Sequence, residues 1–193
     1  RATRDESSVQ LEDPAHALTL AVSPRAGHLA YSLRSHGHEW LRFPASGTAG
    51  LADYLQNGGG LEGIPLLAPW ANRLDEMALF ANGQRYAFDP DLGNVSAPPA
   101  IHGCLSRASE WQVVDLGASE TEAWVTSRLD VYRLPRVMKQ FPFAHTIEMT
   151  YRVGGGAVEV RTRLENLALE PMPVSLGYHP YFLLDAPRET WTL

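Results

Sequence analysis

Along most of the chain, apolar residues alternate with polar ones, the period of two that a half-buried β-strand requires. Residues 16–22 (His16-Ala17-Leu18-Thr19-Leu20-Ala21-Val22) and 28–33 follow this pattern. Between them lies Ser23-Pro24-Arg25-Ala26-Gly27, a turn sequence, so the two runs predict a pair of strands. The alternation returns in 111–116, 122–129, 144–153 and 157–164. Gly154-Gly155-Gly156 separates the last two runs, and glycine supplies the positive backbone angles of a tight reversal at little cost. Residues 129–143 are less regular, with Pro135 and Pro142 as punctuation. No long stretch carries a helical period, and only Tyr54 and its neighbours fit a short turn of helix. With 14 prolines and 16 glycines placed between short strands, the pattern predicts an all-β sandwich with long loops. No linker or repeat divides it, so residues 1–193 are expected to form a single domain.

Composition narrows the partners. A chain of 193 residues with 45% hydrophobic and 20% charged positions is long and apolar enough to bury a sizeable core. The net charge of −6, with no basic run, argues against nucleic acid or an anionic membrane surface. A single cysteine, Cys104, excludes an internal disulfide framework and a cysteine-based zinc site. No apolar run approaches the ~20 residues that span a bilayer, and Arg1 to Gln10 is too polar for an export signal. A cytoplasmic protein is the expectation.

The stretch from Gly58 to Gly103 shows little alternation and is too long for a casual connection. Loops of this kind on a rigid sheet carry binding groups. In Pro65-Leu66-Leu67-Ala68-Pro69-Trp70-Ala71-Asn72-Arg73, two prolines stiffen an apolar segment that ends in Asn72 and Arg73. A planar guanidinium fork beside an amide reads adjacent hydroxyls well, although the same pair also fits an arginine that fastens a loop. His102 precedes Gly103 at the end of the stretch, where backbone without a side chain approaches a ligand closely. Imidazole titrates near ~6.5, which suits proton transfer, yet the histidine alone fits a ring bonded within its own loop better. Cys104, with no orienting third group, reads as a packing residue rather than a nucleophile. In Ser175-Leu176-Gly177-Tyr178-His179-Pro180-Tyr181-Phe182, Pro180 holds His179 in extended backbone among aromatics. Those rings are platforms for a sugar face or members of an aromatic core.

Together these segments resemble the aldose 1-epimerase (galactose mutarotase) family and its aldose-6-phosphate relatives, in order and spacing, from the N-terminal strands to Phe182. The resemblance implies a galactose mutarotase-like β-sandwich, a monosaccharide (hexose) substrate and no cofactor or metal. Asn72 and Arg73 fall on the family's P-x-x-N-R element, where the arginine contacts sugar hydroxyls. His102 falls on its H-G histidine, which positions and polarises the substrate, and His179 on the histidine of H-x-Y-F, taken as the general acid. Tyr181 is then a substrate-binding aromatic. The form Gly-Tyr-His-Pro-Tyr-Phe departs from the galactose-type N-H-S-Y-F, so no sugar preference carries over. The implied reaction is interconversion of α and β anomers by acid/base ring opening. The family's general-base glutamate and a sugar-binding aspartate lie downstream of the second histidine. Asp185 and Glu189 follow His179 too closely to stand for them. The ending Arg188-Glu189-Thr190-Trp191-Thr192-Leu193 reads as the opening of another strand, so the fold is expected to be incomplete at its C-terminus, with exposed edges that favour a homo-oligomer.

Three other readings stay open. His36-Gly37-His38 beside Glu39, with His16 and His28 nearby in sequence, has the spacing of some metal sites, though a glycine-containing turn usually leaves histidines in solvent. A non-catalytic carbohydrate-binding protein would keep Arg73 and the aromatics without proton transfer. Sugar-6-phosphate epimerisation would require Arg73, Arg85 and Arg107 to converge.

Overall fold

The computed structural model describes residues 1–44, 47–95, 98–184 and 187–190. Two antiparallel sheets form its body. The first runs β1 (Ala2–Arg4), β2 (Val9–Asp13), β3 (Leu18–Ser23), β4 (Leu29–Ser35) and β5 (His38–Glu39) in sequence order. A helix α1 (Gly47–Asn57), the short strand β6 (Leu66–Leu67) and a hairpin of β7 (Ala78–Ala81) and β8 (Gln84–Ala87) follow. The second sheet has the order β12-β11-β10-β9, from β9 (Gln112–Ala118), β10 (Glu122–Asp130), β11 (His145–Gly154) and β12 (Ala157–Asn166). Helix α2 (Pro135–Gln140) lies between β10 and β11, and β13 (Gly177–Tyr178) pairs with β6.

The alternation in the sequence becomes the packing. Every second residue of β10 is buried, and Ala123, Val125 and Leu129 face the first sheet. They join Ile147, Met149, Tyr151 and Val153 of β11 and meet Val9, Leu11, Leu18, Leu20 and Val22. Leu11, Leu20, Ile147 and Met149 are fully buried, each contributing on the order of 1.5–3 kcal/mol relative to an exposed side chain. This is a two-layer all-β sandwich of the predicted kind, and its strands match the alternating runs. Gly155 and Gly156 turn the chain between β11 and β12 with φ of 59° and 74°. Among the described residues no helix is long and apolar enough to cross a membrane.

Several elements depart from the sequence-based expectation. The helix around Tyr54 is a full one of 11 residues, not a single turn. Leu51, Tyr54 and Leu55 recur at one-turn spacing and pack on Ala26, Leu29 and Tyr31. In the irregular stretch 129–143, Pro135 opens α2 at its first position, where a missing N–H costs nothing. The polar N-terminus contains β1 and β2, with Val9, Leu11 and Asp13 facing inward. Residues 78–87, expected as loop, form a hairpin whose turn residues Asn82 and Gly83 both have positive φ, 52° and 73°. That is the geometry Asn-Gly favours.

One buried histidine ties the two layers together. His28 has no solvent exposure, donates from Nε2 to the Met149 carbonyl at 3.1 Å, and stacks on Trp111 at 5.4 Å. Burial pushes its pKa down to about 3, so the ring is neutral.

Candidate functional site

Residues 64–73 run through the middle of the site as an extended, mostly buried segment. On one side they pair with the segment that follows β12: Gly177 with Leu67, Tyr178 with Leu66, and Trp70 with Ser175. On the other they meet the residues after the long loop, through bridges Ala68–Gly103 and Arg73–Ile101. The apolar residues of the segment anchor it. Leu66, Leu67 and Ala68 enter the sandwich core or its border, and Trp70 stacks on Phe88 at 4.7 Å in a second apolar cluster. The three stretches that carry the candidate residues are therefore bound to one another by backbone hydrogen bonds.

This arrangement explains Gly103 differently from the sequence reading. A Cβ at this position would lie 2.0 Å from the Ala68 carbonyl oxygen, and φ is +68°. The missing side chain lets backbone approach backbone, and the Ala68 carbonyl then accepts N–H bonds from Cys104 (2.9 Å) and Leu105 (3.1 Å). Glycine here seats His102; it does not make room for a ligand.

Asn72 and His102 are coupled directly. The His102 N–H donates to the Asn72 carbonyl at 2.9 Å, and the Asn72 N–H donates to His102 Nδ1 at 3.2 Å. Both have left-handed backbone, with φ of 59° and 64°, a conformation uncommon outside glycine that asparagine and histidine adopt more readily than most residues. Because Nδ1 accepts a bond, the neutral ring carries its proton on Nε2, which is then the donor. Partial burial, then the neighbouring His179, then Arg73, lower the pKa of His102. The two imidazoles stand 5.5 Å apart and nearly perpendicular, at 85°. Tyr181 stacks on His179 at 4.6 Å and 16°, so one face of its ring backs the histidine. Asn72 and Arg73 are exposed at the end of the central segment, and the Arg73 guanidinium lies 3.5 Å from the Asn72 side-chain oxygen. His102, His179, Asn72, Arg73 and Tyr181 thus lie in one linked group. A cleft of about 680 Å³ opens on the His102 side, with Gly103, Cys104 and Arg107 in its wall; His179 and Arg73 are outside that wall.

With this geometry in place, comparison with known proteins is decisive. The aldose 1-epimerase family model matches residues 13–193. The chain belongs to the aldose 1-epimerase family. Solved structures agree on the fold. A galactose mutarotase-like protein from Clostridium acetobutylicum is 22% identical with a TM-score of 0.78, covering 94% of this chain and 53% of that one. A protein from Synechocystis sp. PCC 6803 is 24% identical with a TM-score of 0.73, over 93% and 55% of the two chains. A galactose mutarotase-like protein from Lactobacillus casei is 18% identical with a TM-score of 0.66, over 94% and 52%. The chain spans about half the length of these structures.

The remaining sequence candidates separate. In this aldose 1-epimerase family chain Glu39 accepts from Ser32 Oγ and from the N–H groups of Leu33 and Leu41, so its oxygens are used within the β4–β5 hairpin. His28 is buried elsewhere and His16 bonds Asp13 at 2.8 Å. Among the described residues no three His, Cys, Asp or Glu are arranged to hold a metal ion. Arg85 pairs with Glu76 at 3.0 Å and Arg107 lies over the Tyr54 ring at 5.9 Å, so each answers to its own partner rather than to Arg73. Cys104 is half-buried, and desolvation pushes its thiol up to about 12, as suits a packing residue. Glu189 sits exposed on the turn Arg188–Thr190; Asp185 and residues 191–193 lie outside the described residues.

Two residues beside the site escaped the sequence reading. Glu62 is buried to 7% exposure, and Arg42 grips both its oxygens, at 2.8 Å and 2.6 Å. The signal was present. Glu62 is the one charge between Gly58 and Ala71, and a lone charge in an apolar, glycine-rich stretch requires a partner.

Proposed function

We propose that this chain acts as an aldose 1-epimerase, interconverting the α and β anomers of a free hexose. The observation that carries the reading is the perpendicular imidazole pair, in which the Asn72 N–H fixes His102 as the Nε2–H tautomer. In the proposed reaction His179 delivers a proton to the ring oxygen, while His102 holds and polarises the same region. Arg73 and Asn72 bind hydroxyls, and Tyr181 backs His179. The anomeric hydroxyl proton passes to a general base, the role the family resemblance gives to a glutamate downstream of His179, as the ring opens to an aldehyde. Rotation about the C1–C2 bond and reversal of the proton movements give the other anomer. Both partners must donate and accept in turn, which calls for groups that titrate near the working pH.

Glu62 is not available as the base, because Arg42 engages both of its oxygens. That observation gives a second reading some weight: a carbohydrate-binding protein on the same fold that lacks turnover. Equilibration of α-glucose and α-galactose, followed by polarimetry or NMR, separates the two. The epimerase reading expects the wild type to speed equilibration and His179→Gln to lose about 10²–10⁴-fold of that acceleration while still binding sugar. Binding without acceleration in the wild type supports the second reading. Glucose 6-phosphate, run in parallel, tests the phosphorylated variant.

A further inference from the structure

Arg42 stands at the start of a line of contacts that ends at the imidazole pair. Its fork meets the two oxygens of buried Glu62. Its guanidinium carbon lies 5.5 Å from the centre of the Tyr181 ring. Tyr181 stacks on His179 at 4.6 Å, and His179 meets His102 edge-on at 5.5 Å. The backbone closes the same circuit: Arg42 N–H donates to the Tyr181 carbonyl (2.8 Å), Tyr181 N–H to the Gly63 carbonyl (2.8 Å), and Gly63 N–H to the Arg42 carbonyl (2.9 Å).

We propose that Arg42, held flat by Glu62, is a positioning residue for His179 and acts through the Tyr181 ring. The proposal rests on the reading of His179 as the sugar-facing acid. The physical argument concerns rotation. An imidazole on extended backbone turns about its Cα–Cβ and Cβ–Cγ bonds, and the Tyr181 face restricts that turning only if Tyr181 is itself fixed. An arginine is suited to fix it, since its planar fork is pre-organised by a carboxylate while its face lies against an aromatic ring. A bare ion pair that merely satisfies a buried carboxylate would not require the guanidinium to reach Tyr181. A lysine would supply charge but neither the fork nor the flat face.

The test uses the whole chain and reads the His179 ring by NMR, through its chemical shifts and its ring-to-ring contact with Tyr181. In Arg42→Met and Glu62→Gln the contact weakens and the His179 ring signals move; in Tyr181→Phe, which keeps the ring, both are retained. In a Tyr181→Leu background Arg42→Met moves the His179 signals no further, because the path runs through the aromatic face. Titration with D-glucose and D-galactose then shows a dissociation constant raised about two- to fivefold in Arg42→Met, the scale of losing a partly exposed cation–π contact. The proposal is overturned if folded Arg42→Met and Glu62→Gln keep the wild-type ring contact and shifts. It is equally overturned if Arg42→Met moves His179 by the same amount with and without the Tyr181 ring. Should Arg42→Met fail to fold, Glu62→Gln, which preserves shape, decides the matter. Absence of hexose binding in the wild type counts against the epimerase reading alone, since the ring measurements are scored without sugar.

Discussion

Lowering the pH should destabilise this protein through His28, and the size of the effect follows from its burial. The ring is fully enclosed, bonded through Nε2–H to Met149, and its Nδ1 finds no partner among the described residues. A proton added there would be a charge in apolar surroundings, which is why the native pKa falls to about 3 from the ordinary 6.5. In the unfolded chain the same ring protonates normally. As pH drops below 6.5 the unfolded state therefore binds the proton first, and stability falls until the native ring also titrates near 3. At ~1.4 kcal/mol per pH unit, the loss from this one group reaches about 2 kcal/mol at pH 5 and about 3 kcal/mol at pH 4. Against a typical total of about 5–15 kcal/mol, that is a large share. The assay is urea unfolding at pH 7.5, 6, 5 and 4 for the wild type and His28→Asn, asparagine being chosen because it tolerates the left-handed backbone at this position (φ 52°). The variant is less stable at neutral pH but loses less on acidification. Parallel pH slopes for the two proteins would refute the account of His28 as a neutral tie between the sheets.

Two further outcomes are expected. Gly103→Ala places a Cβ against the Ala68 carbonyl at a positive φ, so it costs upwards of about 1 kcal/mol in urea unfolding and displaces His102, which weakens hexose binding in an NMR titration. Cys104, with its thiol held at about 12, reacts slowly with a disulfide reagent at pH 8 in the folded protein and quickly in denaturant; equal rates would place it at the surface.

The sandwich was legible because its strands are half buried. Alternation in 122–129 and 144–153 reports which face meets the opposite sheet, and the structure follows it residue by residue in β10 and from Ile147 onward in β11. Elements without a long period were missed. β6 and β13 are two residues each and are defined by their partner rather than by their own sequence. Helix α1 shows a single repeat of its apolar stripe, from Leu51 to Tyr54 and Leu55. The β7–β8 hairpin had a clear Asn-Gly signal that the glycine and proline content of its surroundings obscured. For the site, His102, His179, Asn72 and Arg73 were legible as local motifs, but what binds them together is not local. The reciprocal bonds of Asn72 and His102, and the clamp of Arg42 on Glu62, join residues far apart in the chain, and no short pattern encodes such pairs.

The central segment has a consequence for how the molecule assembles. It exchanges hydrogen bonds with residues near 103 on one flank and near 177 on the other, so its place is fixed only after distant parts of the chain have come together. Contacts of such long range pay their loop-closure entropy early and are rewarded late. The imidazole pair should accordingly be among the last features to form during folding and among the first to dissolve. That makes recovery of the His102–His179 ring contact in NMR a stricter measure of complete refolding than the return of β-sheet signal.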